Sequence, residues 1–379
     1  MIYFDSNATT ALDPQVREAM LPFLGGVYGN PSSVHHIGRQ ARAALDDARD
    51  RVAQVWRSKP SEVVFTSGGT ESNNLAVFGT ARLLRDKGRH LITSSIEHHA
   101  VLHCFRYLER KEGFSVTCLP VDGEGLVSPE DLARAIRPET ILVSIMAANN
   151  EVGAIQPVAC LGEICRSRGV VFHTDAAQWF GKEPFESIHQ FNADLVSVCS
   201  HKFYGPKGAG ALFVRSPLHP DPVLFGGGHE NDRRAGTENM AGIAGFTESL
   251  VRFVKLPIFC SKTLGPLSAR LIERLIPLPG VEFRGSTQQR LSNTAAFTVA
   301  GCDSMTLLAG LDLMGICASS GSACSAGSLE PSHVLLAMGV EKSLANSLIR
   351  FSLGRASTLK EVDAVVDGFQ HVIKQARHL

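Results

Sequence analysis

Lys202 stands in "SHKFYGPKG", after the apolar run "ADLVSVC" and before a Gly-Pro turn. A lysine at the carboxyl end of a buried strand is partly desolvated, which lowers its pKa and suits its amine to forming a Schiff base. The plainer reading is a solvated lysine at a turn. Asp175, in "HTDAAQ", follows another apolar run, with Gln178 three residues on. Such a carboxylate caps a helix, binds a metal or pairs with a ring nitrogen. "TSGGTESNN" sets Gly68 and Gly69 between a strand and a helix. The N–H groups of Gly69, Thr70 and Glu71 then open that helix as an anion site. The alternative is a simple turn capped by Thr70. The stretch lacks the G-x-G-x-x-G spacing of a dinucleotide site.

"ASSGSACSAGS", residues 318–328, holds Cys324 among serine, alanine and glycine alone. It has neither the bulk for a core nor the propensity for a helix or strand. Its lack of anchors predicts a tether that lets the Cys324 thiolate reach a buried sulfur and then a partner. "EHHAVLH" supplies His98, His99 and His103. His99 and His103 are spaced to share a metal on one helix face, but no acidic or cysteine partner has matching spacing, so no resident metal is expected. His98, at the helix start, suits stacking on a planar group or moving protons.

Together these parts define one chemistry. A phosphate-binding turn, an aspartate for a pyridinium nitrogen and a strand-end lysine are what a pyridoxal phosphate enzyme needs.

The elements that must position them are legible as well. Apolar strand-like runs alternate with helical patterns from about residue 60 to 215: "EVVFTS", "HLITSS", "ILVSIM", "VVFHTDAA", "ADLVSVCS" and "GALFVR". Alternation of this kind predicts an α/β fold with a mainly parallel sheet between helices. Ligands in such sheets gather at the carboxyl ends of the strands. After about residue 250, strands "VEFRG", "SNTAAFTVA" and "LIRFSLG" join helices at 267–275, 304–311 and from Lys360 as a smaller α+β domain. The expected division is 15–250 for a large cofactor-binding domain, with 1–14 and 251–379 as the small one.

With 44% hydrophobic and 20% charged residues, the composition is that of an ordinary globular protein. Lys plus Arg balance Asp plus Glu at 37 each, which argues against nucleic acid or an anionic membrane as the main partner. The odd total of 9 cysteines, without a C-x-x-C pair, fits a reducing cytoplasm better than a disulfide framework. The opening "MIYFDSNATT" does not read as a secretory signal.

"YFDSNATT", "GNPSSVHHIG", "TSGGTESNN", "IEHHAV", "NNEVGAIQP", "HTDAAQ", "SHKFYGPKG", "GGGHENDRRAGTEN", "SSGSACSAGSLEPSHVLLAMG" and "IRFSLGR" closely resemble the cysteine desulfurases. These belong to the class V aminotransferase group of fold-type I pyridoxal phosphate enzymes. The resemblance runs in order from residue 1 to about residue 355, and the long small-residue cysteine loop resembles the group I branch. It implies that L-cysteine is converted to L-alanine, leaving a persulfide on Cys324 for delivery to an acceptor. Iron–sulfur cluster assembly is the most common destination, with transient cluster contact at Cys324. By position, Lys202 matches the Schiff-base lysine, Asp175 the partner of the pyridine nitrogen and His98 the stacked residue. Gln178 and Asn150 match residues at the cofactor's 3′-oxygen, and Gly69, Thr70 and His201 match phosphate ligands. Thr237 resembles a phosphate contact reaching in from a second subunit, which implies a homodimer. Arg350 resembles the substrate-carboxylate clamp, and Asn30 a residue near the substrate pocket. The family usually has serine where this chain has Cys199, so Ser200 is expected to take that phosphate contact. Another class V activity, aminotransferase or selenocysteine lyase, and a non-catalytic scaffold are the competing readings.

Overall fold

A computed structural model of the protein describes residues 1–321 and 331–377. Cys324 lies outside the described residues.

Strand β1 (Ile2–Tyr3) opens the chain. It is followed by β2 (Val63–Thr66), β3 (His90–Ser94), β4 (Ser115–Leu119), β5 (Thr140–Ser144), β6 (Val171–Asp175), β7 (Leu195–Cys199) and β8 (Gly210–Val214). These seven form one sheet in the order β2-β8-β7-β6-β5-β3-β4. Strands β3 to β7 are mutually parallel, and β8 runs antiparallel between β7 and β2. Every residue of β2, β3, β5, β7 and β8 is buried, as a sheet covered on both faces requires. The edge strand β4 differs: only Leu119 of its five residues is buried, so it carries no apolar run.

Helices cover both faces. Neighbouring residues of β3 show this, because Ile92 joins the large core containing Trp56, Phe180, Phe213 and Phe246. Leu91, pointing the other way, joins Val101, Phe105 and Leu142 beneath the helix His99–Glu112.

The rest of the chain builds β9 (Val281–Arg284), β10 (Thr294–Val299), β11 (Ile316–Cys317) and β12 (Ile349–Ser352). β10 pairs antiparallel with both β9 and β12, while β1 pairs parallel with β11. The first residues therefore associate with the last third of the chain, and an isolated bridge between Asp5 and Ser352 extends that contact. The helix expected at 267–275 begins at Ser261, with Pro266 inside it. The expected start falls just after that proline, a residue favoured at a helix's first turn and rare in its interior. No helix among the described residues is long and apolar enough to cross a membrane.

Candidate active site

The carboxyl ends of β2, β3, β5, β6 and β7 converge on a cavity of about 220 Å³. Gly69, Thr70, His98, Asn150, Asp175, Gln178, His201, Lys202 and Arg350 all line it. Most of these residues, far apart in sequence, meet because they lie at or soon after the carboxyl ends of strands of one sheet; Arg350 comes in from β12.

Lys202 closes a single 3-10 turn, Ser200–Lys202, after β7. Its Nζ donates to the main-chain oxygens of Asn7 and Ala8, each at 2.7 Å. Burial pulls its pKa below the usual lysine range, and Arg350 pulls in the same direction. The amine is thus held at the end of a rigid strand with its proton loosened, so it is not a solvated turn lysine.

Asp175 ends β6 and is buried. Its Oδ2 accepts from Asn73 Nδ2 at 2.6 Å, and its Oδ1 accepts from the Ala177 N–H at 2.9 Å. No helix follows, so it is not a helix cap. Thr70 is not a cap either: the N-cap of the helix Gly69–Asn74 is Gly68, which makes no side-chain bond. Gly68 has φ +146°, a backbone state that side chains rarely adopt, and this turns the chain sharply into the helix.

His98 is the N-cap of the helix His99–Glu112, and its Nδ1 accepts from the Ala100 N–H at 3.1 Å. A backbone N–H can only donate, so the neutral ring carries its proton on Nε2. Burial lowers its pKa and favours that neutral form. His99 and His103 stack on each other at 4.9 Å, and His99 lies 4.8 Å from His333. His201 Nδ1 lies 3.2 Å from Thr9 Oγ1, and burial pulls its pKa down to about 4.

Arg350, in β12, is 1% exposed. Its Nη1 donates to the Asn150 and Gly321 carbonyls at 2.9 and 3.1 Å, and its Nη2 to Asp5 Oδ1 at 2.7 Å. Its Nε is buried without a hydrogen-bond partner among the described residues. A guanidinium so held presents its charge to the cavity in one fixed orientation.

Several expected residues fall elsewhere. Ser200 does not line the cavity: its buried hydroxyl meets Ser249 at 3.4 Å, in the packing against the helix Met240–Phe253. Cys199 lines it instead, directly beneath Gly69, where an added Cβ would lie 3.5 Å from the Cys199 Cβ. The strand period explains this: one step along the chain reverses the side chain. Burial pushes the Cys199 thiol up to about 11, so it stays protonated near neutrality. Asn30 is exposed, with its Oδ1 accepting from the Ser32 N–H, and does not line the cavity. Thr237 is exposed on the loop before the helix Met240–Phe253.

Sequence reasoning missed Asn7 and Asn73. Asn7 lines the cavity and donates from Nδ2 to Thr294 Oγ1 and the Asn150 carbonyl. Nothing in "SNATT" marks it, because its partners lie in other parts of the chain. Asn73, in "TESNN", follows the glycine turn by one helical turn, and that spacing was the available signal.

The donor set suits pyridoxal 5′-phosphate. A buried carboxylate lies at one part of the cavity wall, an amine with a lowered pKa at another, and the N–H groups of a helix start at a third. Asn73 Oδ1, buried beside Asp175 without a partner among the described residues, is an acceptor left for a polar occupant.

The model of the family described as aminotransferase class-V matches residues 2–365. A cysteine desulfurase IscS of Methanosarcina thermophila is 46% identical, the alignment covering 100% of this chain and 93% of that protein. The solved structure of a NifS-like protein is 37% identical with a TM-score of 0.92, covering 99% of both chains. A structure titled SspA in complex with cysteine is 36% identical with a TM-score of 0.81, covering 94% of this chain and 100% of that one. With strand-end lysine, buried aspartate and glycine turn in one cavity, the chain belongs to the class-V aminotransferase family and groups within it with the cysteine desulfurases.

Proposed function

We propose that the protein is a pyridoxal-phosphate-dependent cysteine desulfurase. It converts L-cysteine to L-alanine and leaves the sulfur as a persulfide on Cys324. The observation that carries this reading is the meeting of Lys202, Asp175, His98 and Arg350 around one cavity in a chain with full-length cysteine desulfurase relatives.

Gly69, Thr70 and His201 would hold the cofactor's phosphate, with Thr237 of a second copy. Asp175 would hold the ring nitrogen, Gln178 and Asn150 the 3′-oxygen, and Lys202 would carry the Schiff base. When bound, the group supplies an electron-withdrawing ring that acidifies the substrate's Cα–H. Arg350 binds the substrate carboxylate. The Lys202 amine, with its pKa lowered by burial, takes the Cα proton at Nζ. His98 holds a proton at Nε2 beside the same space and can give it to a leaving or reacting group. The Cys324 thiolate attacks the substrate sulfur: an S–S bond forms, the Cβ–S bond breaks, and its electron pair stays with carbon, which is protonated to give alanine. Atoms balance as cysteine plus thiol giving alanine plus persulfide.

The persulfide then passes to an acceptor protein, with iron–sulfur cluster assembly as the proposed destination and the cytoplasm as the proposed compartment. Residues 15–250 act as the cofactor-binding unit, and 1–14 with 251–379 as the unit that brings up Arg350 and Cys324. A homodimer is supported by apolar side chains left in solvent: Leu24 is 68% exposed, Tyr28 76%, Val34 88% and Phe225 83%. Ser32 and His229 line one cleft, so these two loops are neighbours, and the Thr237 loop continues from them.

Absorbance tests the cofactor assignment. Purified protein is expected to show a visible Schiff-base band that Lys202→Ala abolishes; an unchanged band in that variant would remove Lys202 from the role.

A further inference from the structure

Lys182 is 2% exposed, at the end of the turn that follows β6. Its Nζ has no ion-pair partner among the described residues. It donates instead to Asn7 Oδ1 at 2.6 Å and to Gln178 Oε1, and lies 5.2 Å from the centre of the Phe259 ring. A buried lysine is costly, and one without a carboxylate is a poor choice for stability alone. Its volume could be filled by an apolar side chain among the aromatic neighbours.

Its chemistry restricts what surrounds it. In both of its amide contacts the amine donates, so the atoms turned towards it are oxygens. That fixes both amides: Gln178 gives Lys182 its oxygen, and its Nε2 is left to donate to the Asn7 carbonyl at 3.0 Å. Asn7 gives its Oδ1 to Lys182 and to Asn293 Nδ2, and keeps its Nδ2 for Thr294 and Asn150. The same Asn7 carbonyl receives Lys202 Nζ. Lys182 is thus one residue removed from the reactive amine, and Asn7 and Gln178 both line the cavity.

We infer that Lys182 is a positioning residue, whose amine sets the orientation of the Gln178 amide and holds Asn7 where its main-chain carbonyl receives Lys202. The role needs donors only, and it survives loss of the charge. Burial, with Lys202 and Arg350 nearby, does push the Lys182 pKa well below the usual range. This inference rests on the reading of the cavity as a cofactor site.

The test titrates cofactor-free protein with pyridoxal 5′-phosphate and follows the Lys202-dependent band, alongside thermal melting. Lys182→Met keeps the volume and removes the donors; Lys182→Gln keeps one amide donor. Lys182→Met is expected to bind about tenfold more weakly than wild type, but less than about twofold more weakly when added to Gln178→Ala, because the pair acts through one contact. Lys182→Gln should fall between wild type and Lys182→Met. Equal affinity in Lys182→Met, full additivity with Gln178→Ala, or failure of both Lys182 variants to fold would overturn the inference, the last by making the residue structural. A wild type that forms no band dependent on Lys202 would instead remove the cofactor reading, and this inference with it.

Discussion

Arg350 is buried with its charge matched by Asp5 and two carbonyls, so its guanidinium is oriented before any substrate arrives. A lysine cannot reproduce that fork of donors. Arg350→Lys is therefore expected to raise KM for L-cysteine by about tenfold or more, with a smaller change in kcat. Steady-state kinetics decides it, and an unchanged KM would place the carboxylate elsewhere. Cys199 tells a different story. The thiol lies under the glycine turn and stays protonated, and a thiol is a weak donor. Cys199→Ala should alter cofactor affinity by less than about twofold; a loss of tenfold or more would make the thiol a working contact.

At the scale of elements, the join between β3 and the helix His99–Glu112 carries a buried acid. Glu97 Oε1 accepts from Ser94 Oγ at 2.5 Å and the Met146 N–H at 2.9 Å, while Oε2 has no partner among the described residues. Burial raises its pKa from 4.5 to about 8. The folded state holds this proton more tightly than the unfolded chain. Its contribution to stability is therefore complete below the lower value and is lost as pH rises through the upper one. His99 and His201, each pulled down to about 4, act oppositely in more acidic solution. Glu97→Gln keeps the shape and removes the titration. Its melting temperature should match wild type near the lower value, exceed it increasingly as pH rises to the upper one, and hold a constant excess above that. Parallel profiles for the two proteins would contradict the assignment.

The central strands were legible because apolar pairs such as Leu91-Ile92, Leu142-Val143 and Leu195-Val196 sit at their centres, and Lys202, Asp175 and Gly69 because each stands at or within three residues of a strand end. β4 was not, since Ser115 to Leu119 mixes polar and apolar residues at an edge. Asn7, Asn73 and Lys182 were hidden for another reason: their meaning lies in amide and amine contacts across more than a hundred residues of chain, as from Lys182 to Asn7. Ser200 was misplaced because an argument from residue type ignored the alternation of the strand beneath it.

On the scale of the whole molecule, the site draws on both ends of the chain. Asn7 and Asp5 come from the start, Arg350 from near the end, and the cavity between them from the central sheet. In the proposed homodimer the exposed apolar loops would extend this logic to a second copy. Phe225→Glu and Val34→Glu are each expected to give monomers by light scattering, with weaker cofactor binding if Thr237 is supplied from the partner. Monomeric wild type would contradict the dimer.

The central claim is that sulfur leaves L-cysteine for Cys324. Mass spectrometry of the intact protein after brief exposure to L-cysteine, with alanine measured in the same sample, tests it directly. The account predicts one added sulfur on Cys324 in wild type, matched by alanine. In Cys324→Ala it predicts bound cofactor, but neither added sulfur nor alanine turnover. Continued alanine formation in that variant, or wild type that makes alanine while Cys324 stays unmodified, would contradict it.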